Sequence, residues 1–135
     1  MPEQNDHKEQ VITSFFLPER RERFLSLARS ARGRAKLQLE LAHLRSIDPR
    51  YAKQLPGNLQ QIDSIAQILK QHGAPDMCYI ISESPSLDRR TIRLQDALNA
   101  VVGRGMGSII SCLSGRLAFY EGEDPTERYE LQRDS

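Results

Sequence analysis

Tryptophan is absent from the 135 residues, and phenylalanine and tyrosine occur only four times each. A core must therefore be assembled mainly from Leu, Ile, Val and Ala. No stretch approaches the roughly 20 consecutive apolar residues that a membrane-crossing helix needs, so no membrane segment is expected. Metal-site spacings are missing too: there is no Cys-x-x-Cys and no His-Glu-x-x-His, and His7, His43 and His72 stand far apart. No metal, no cofactor and no catalytic residue is assigned. The two cysteines, Cys78 and Cys112, lie inside apolar runs, where reduced, buried thiols are expected; a disulfide between neighbouring strands is the alternative. The opening Met-Pro-Glu-Gln-Asn-Asp-His-Lys has no apolar stretch of the kind a secretory leader carries. Residues 1–10 are read as a flexible tail, residues 11–135 as one domain, and the location as cytoplasmic.

Charge is abundant but segregated. The net charge is +1, yet residues 19–50 hold nine Lys/Arg against four acids, a net of +5. Residues 115–135 hold three Arg against six acids, a net of −3. Blocks of opposite sign can steer a partner, or neutralise each other within one chain or between two copies.

The stretch from Leu94 to Leu131 contains the densest apolar run and the only cluster of glycines, Gly103-Arg-Gly-Met-Gly107. Leu94, Ala97, Leu98, Val101 and Val102 recur at helical spacing. Ser108–Leu113, Arg116–Glu121 and Arg128–Gln132 read as strands, the first two joined by a tight turn at Ser114-Gly115 and the last two by a turn at Gly122–Thr126. Met77-Cys-Tyr-Ile-Ile-Ser82 reads as a buried strand and should lie beside Ser108–Leu113. Glu83–Arg90 is a polar loop.

The N-terminal half is helical by spacing. Val11, Ile12, Phe15 and Phe16 make a short apolar face; Pro18 ends that segment and opens the next. Phe24, Leu27, Ala28, Ala31 and Ala35 continue as one face, with Gly33 a weak point. Residues 35–44 are helix formers and should stop before Asp48-Pro49. Leu59, Ile62, Ile65, Ala66, Ile68 and Leu69 form a further amphipathic helix, opened by Asn58 with Gln61 as a weak capping box and closed by Gly73. Helices first, then strands with one helix inserted, define an α+β fold: three to four N-terminal helices on a small, mostly antiparallel four-stranded sheet.

Two surfaces are candidates for function. Were the basic helix continuous through Gly33, then Arg21, Arg29, Arg32 and Lys36 would share one quadrant in a line about 20 Å long. This face suits an acidic protein partner or the acidic region of a second copy, making the chain a non-catalytic protein-interaction module and a candidate homodimer. Nucleic-acid binding by the same arginines is the first alternative, although no aromatic is interleaved to stack bases. The second alternative is a small-molecule or anion site, enzymatic in one version, at Gly103, Arg104 and Gly105, where backbone N–H groups can cradle an anion. The order here is helix, glycines, strand, the reverse of a phosphate loop. Glu83, Asp88 and Asp96 flank a strand end, and a cleft there is the first place to look for chemistry.

Overall fold

A computed structural model of the chain describes residues 2–41, 46–57, 60–124 and 127–133. The class is α+β, with five helices and one six-stranded antiparallel sheet among the described residues. In chain order the elements are α1 (Pro2–Phe15), α2 (Pro18–Ala28), α3 (Ala31–Glu40), a 3-10 turn (Pro49–Tyr51) and β1 (Ala52–Gln54). Then follow α4 (Ile62–Gln71), β2 (Met77–Ser82), β3 (Thr91–Arg93), α5 (Leu94–Val101), β4 (Ser108–Leu113), β5 (Leu117–Glu121) and β6 (Arg128–Gln132). The sheet order is β1-β6-β5-β4-β2-β3.

The four long strands fall where the sequence places them, and β2 lies beside β4 with Ile80 opposite Ile110. The sheet is larger than expected by two strands. β1 pairs with β6 and β3 with β2. Each is three residues long, so neither makes a periodic apolar signal.

Side chains alternate between the two faces of a strand, and here each face is covered. Tyr79, Ile81, Ile109, Ala118, Tyr120 and Leu131 pack with Val11, Ile12, Phe15, Phe24 and Leu37 from α1–α3. Cys78, Ile80, Ile110, Cys112, Leu117 and Phe119 pack with Ile65 and Leu69 of α4 and Leu94, Leu98 and Val101 of α5. The result is three layers, with a near-continuously apolar sheet in the middle, as a strand buried on both faces demands.

Helix α1 takes in residues 2–10, the stretch read as a tail. Pro18 separates α1 from α2 as expected, standing in the first turn of α2. The junction is fastened to the 46–48 segment: Leu17 N–H donates to the Ser46 carbonyl at 2.8 Å, and Asp48 N–H to the Phe15 carbonyl at 2.7 Å.

The basic helix is not continuous. α2 stops at Ala28 and α3 starts at Ala31. Ser30 caps α3, its Oγ accepting the Gly33 N–H at 2.9 Å. Gly33 is the point of contact between the two helices rather than the point of breakage. A Cβ there would stand 2.3 Å from the Leu27 carbonyl oxygen, so only glycine permits this close a corner.

Helix α4 begins at Ile62 after Gln61, whose side chain makes no capping hydrogen bond. Asn58 and Leu59, named with Gln61 as the opening of this helix, lie outside the described residues. His43, Leu44 and part of the Gly122–Thr126 turn also lie outside them. Gly73 closes α4 with φ of 104°, the left-handed conformation a helix end favours in glycine. No described helix is long and apolar enough to cross a membrane.

Candidate functional site

The glycine turn after α5 does hold anions, and they belong to the chain itself. Gly103 has φ of 78°, a left-handed turn that aims its N–H at β5. There the Glu121 carboxylate accepts it at 2.7 Å. The other oxygen of Glu121 accepts from Arg128 Nε at 2.8 Å. At the far end of the turn, Gly107 N–H donates to the Glu83 carboxylate. Arg104, expected to face an anion, instead donates from Nη2 to the Asn99 carbonyl at 3.1 Å and caps the end of α5. A small cavity of about 130 Å³ remains beside Gly103, Gly105, Glu121, Glu123 and Arg128. Its wall carries two carboxylates, which suits a bound anion poorly. Glu121 is 1% exposed, and burial pushes its carboxyl above the usual carboxylate range despite the opposing pull of the Gly103 N–H and Arg128.

The four cations of the basic segment are divided between two helices and the break between them. Arg21 sits on α2 with its Nε donating to the Phe16 carbonyl at 3.0 Å. Arg29 follows the last residue of α2 and meets Glu9 of α1 at 3.3 Å, yet its side chain is 62% exposed. Arg32 and Lys36 are exposed on α3. The break at Arg29–Ser30 interrupts the continuous helix on which a straight track of about 20 Å would rest. What remains is a compact corner presenting Arg29, Arg32 and Lys36.

A third cluster escaped the sequence reading because it begins in the supposed tail. His7 Nδ1 shares a hydrogen bond with Ser111 Oγ at 2.8 Å, and its ring stacks on Tyr79 with centroids 5.4 Å apart. Ser111 is fully buried, so this contact fastens α1 to the sheet and presents no accessible nucleophile. Burial and the neighbouring Asp88 carboxylate push the Tyr79 hydroxyl up to about 12, leaving it neutral across the physiological range.

One turn of chemistry away, Lys8 Nζ lies 3.6 Å from Asp88 Oδ2, with side chains only 5% and 8% exposed. The Asp88 carboxylate also accepts the Ser82 N–H at 3.0 Å. Burial lowers the Lys8 amine below the usual lysine range; Asp88 opposes the shift, and Arg89 and Arg34 add to it. Arg89 has φ of 67°, an uncommon conformation for a residue with a side chain. In it, Arg89 N–H donates to the Ile80 carbonyl at 2.7 Å. The sequence singled out Asp88 only as a carboxylate near a strand end. Neither a polar N-terminal lysine nor a left-handed arginine announces itself by spacing.

Two cavities open beside this pair. One, of about 130 Å³, is lined by Lys8, Glu9, Ala28, Arg29 and Arg34. The other, of about 260 Å³, lies between α3 and the 83–90 loop and includes Arg34, Gln38, Asp88 and Arg89 in its lining. A larger, open hollow of about 500 Å³ lies across the molecule between Lys70, Met77 and Arg93. No cluster of three or more metal-ligating side chains occurs among the described residues. No protein-family model, no curated protein and no solved structure matches this chain.

Proposed function

We propose that the chain is a non-catalytic interaction module that docks an acidic protein surface on the α2–α3 corner, the acidic region of a second copy being one such surface. The corner is short, and Arg29, Arg32 and Lys36 are all exposed on it. Charge of this kind sets orientation and encounter rate, while adjacent apolar surface supplies affinity. Leu25 and Leu27 of α2 are partly buried against the core.

The observation that carries this reading concerns the acids nearest to hand. In the acidic C-terminal block, Glu121 is buried against Arg128 and Glu130 against His72. Two of its carboxylates are thus committed to partners away from the corner, while Arg32 and Lys36 stand exposed on α3 and Arg29 meets Glu9 with its side chain 62% exposed.

The test is binding of a poly-glutamate peptide, read by fluorescence anisotropy, with a short DNA duplex as competitor. Wild type should bind the peptide, the Arg32→Glu, Lys36→Glu double variant should lose that binding, and duplex should compete weakly. If duplex instead binds more tightly, with affinity falling steeply in salt, the nucleic-acid alternative replaces this reading. Four phosphate contacts would give a log–log slope of about −3.6. Sedimentation of the same two proteins separates a foreign partner from a second copy.

A further inference from the structure

The two cavities beside Lys8 and Asp88 share a wall. Arg34 lines both of them. The Lys8–Asp88 ion pair spans the same partition, with Lys8 on one side and Asp88 on the other. Around them stand four cations, Lys8, Arg29, Arg34 and Arg89, and two carboxylates, Glu9 and Asp88. The excess is two positive charges, drawn from four separate parts of the chain: α1, the end of α2, α3 and the 83–90 loop.

A surface of scattered arginines does not look like this. One amine is almost fully buried, and burying a cation is unfavourable unless an anion answers it. Its single close carboxylate is shared with a backbone N–H. One guanidinium is carried by a left-handed non-glycine residue, a strained conformation that persists where the surroundings enforce it and that clusters at ligand sites. Planar guanidinium groups on two sides of a hollow match the oxygens of a tetrahedral dianion.

We propose that the cavity between α3 and the 83–90 loop is a binding site for a phosphate monoester dianion, held between Arg34 and Arg89, with the Lys8–Asp88 pair beside it. The dianion offsets the excess positive charge of the cluster. The phosphoryl group can come from a small metabolite or from a phosphorylated side chain of a protein. Arg34 and Arg89, which hold the dianion, are not among the cations of the α2–α3 corner, although Arg29 of that corner lines the adjoining cavity.

The experiment is titration of the full chain with inorganic phosphate, then with a phosphoserine peptide and its unphosphorylated counterpart. The readouts are melting temperature and isothermal calorimetry at constant ionic strength. Phosphate should raise the melting temperature where matched chloride does not. Arg34→Gln should weaken phosphate binding by roughly tenfold or more, since a charge-assisted contact is lost. Arg89→Gly is the decisive variant: it relieves the left-handed strain, so folding is preserved or improved, yet phosphate binding should fall by a similar factor. A phosphopeptide binding at least tenfold tighter than inorganic phosphate assigns the site to a protein partner; equal binding assigns it to a small phosphate compound. Equal stabilisation by chloride and phosphate, or undiminished phosphate binding by a folded Arg89→Gly variant, overturns the proposal.

Discussion

The carboxylate of Glu121 accepts the N–H of Gly103 at 2.7 Å, so the last residue of one strand occupies the cradle that the glycine turn forms. Its charge is balanced by Arg128, whose side chain is 14% exposed. Removing the carboxylate leaves a buried guanidinium and a backbone donor without their acceptor. Glu121→Ala should destabilise the chain by about 3 kcal/mol, the usual size for breaking a buried pair from one side. Urea unfolding measures it; a change below about 1 kcal/mol would mean the pair is not the turn's fastening.

The same carboxylate gives a pH dependence. Burial holds the folded pKa of Glu121 above its unfolded value. The folded chain therefore binds this proton more readily than the unfolded chain does. The associated stability is complete below the unfolded pKa and is lost as pH rises through the folded pKa. Wild type should lose stability relative to Glu121→Gln as pH climbs out of the ordinary carboxylate range. Urea midpoints for the two proteins across a pH series check this, and a slope of opposite sign would refute it.

Gly33 sets the angle between α2 and α3. A methyl group there meets the Leu27 carbonyl oxygen at 2.3 Å, and the atoms it meets are backbone, which cannot turn aside. Gly33→Ala improves intrinsic helix propensity by about 1 kcal/mol, but the collision should outweigh that gain. The expected net result is a loss of about 2 kcal/mol, in the range of overpacked sites. A thermal melt that matches or exceeds wild type would show that the corner opens freely.

Tyr120 ties the middle of the sheet to the end of α3, its hydroxyl donating to the Leu41 carbonyl at 2.7 Å. The ring is buried, so Tyr120→Phe keeps the packing and strands one carbonyl. A loss of about 1–2 kcal/mol is expected. Hydrogen exchange should show the C-terminal turn of α3 opening more often, while the amides of β4 keep their protection.

Cys78 and Cys112 are both free and buried. The β2–β4 register pairs Tyr79 with Ser111, and Cys78 and Cys112 are the next residues on the two strands, both packed on the α4–α5 side. Each thiol donates to a backbone carbonyl, Cys78 to Pro75 and Cys112 to Ile110, and the neighbouring Cys78 together with burial pushes the Cys112 thiol up. Directly opposed residues on antiparallel strands are about 4.5–5.5 Å apart at Cα, within the span of a disulfide. Treatment with diamide should convert both thiols to one intramolecular disulfide, with a mass lower by about 2 Da. Two thiols still titrating with a chromogenic reagent after unfolding would count against it.

Much of this architecture is legible in the residues. Met77–Ser82 and Ser108–Leu113 are apolar on both faces, and their pairing follows from the single helix between them. That same two-sided character implies cover on both sides of the sheet, the layer that expecting helices packed on a sheet leaves unspecified. Ala52-Lys-Gln54 and Thr91-Ile-Arg93 are too short to alternate visibly and owe their strand conformation to their neighbours. The break after Ala28 is equally hidden: Gly33 marks it only indirectly, because glycine serves a close approach there rather than a stop. The glycine turn was readable as an anion cradle, but that the anion is Glu121 depends on strand register. Lys8 and His7 were invisible, since polar residues near a terminus look alike whether they are solvated or docked.

Both outer strands of the sheet, β1 and β3, are only three residues long. A rim that brief offers an incoming strand too few ladder bonds to hold it, which is one of the ways natural sheets discourage edge-on growth into fibrils. Among the described residues, copies of this chain that meet at high concentration therefore find no long strand edge to extend.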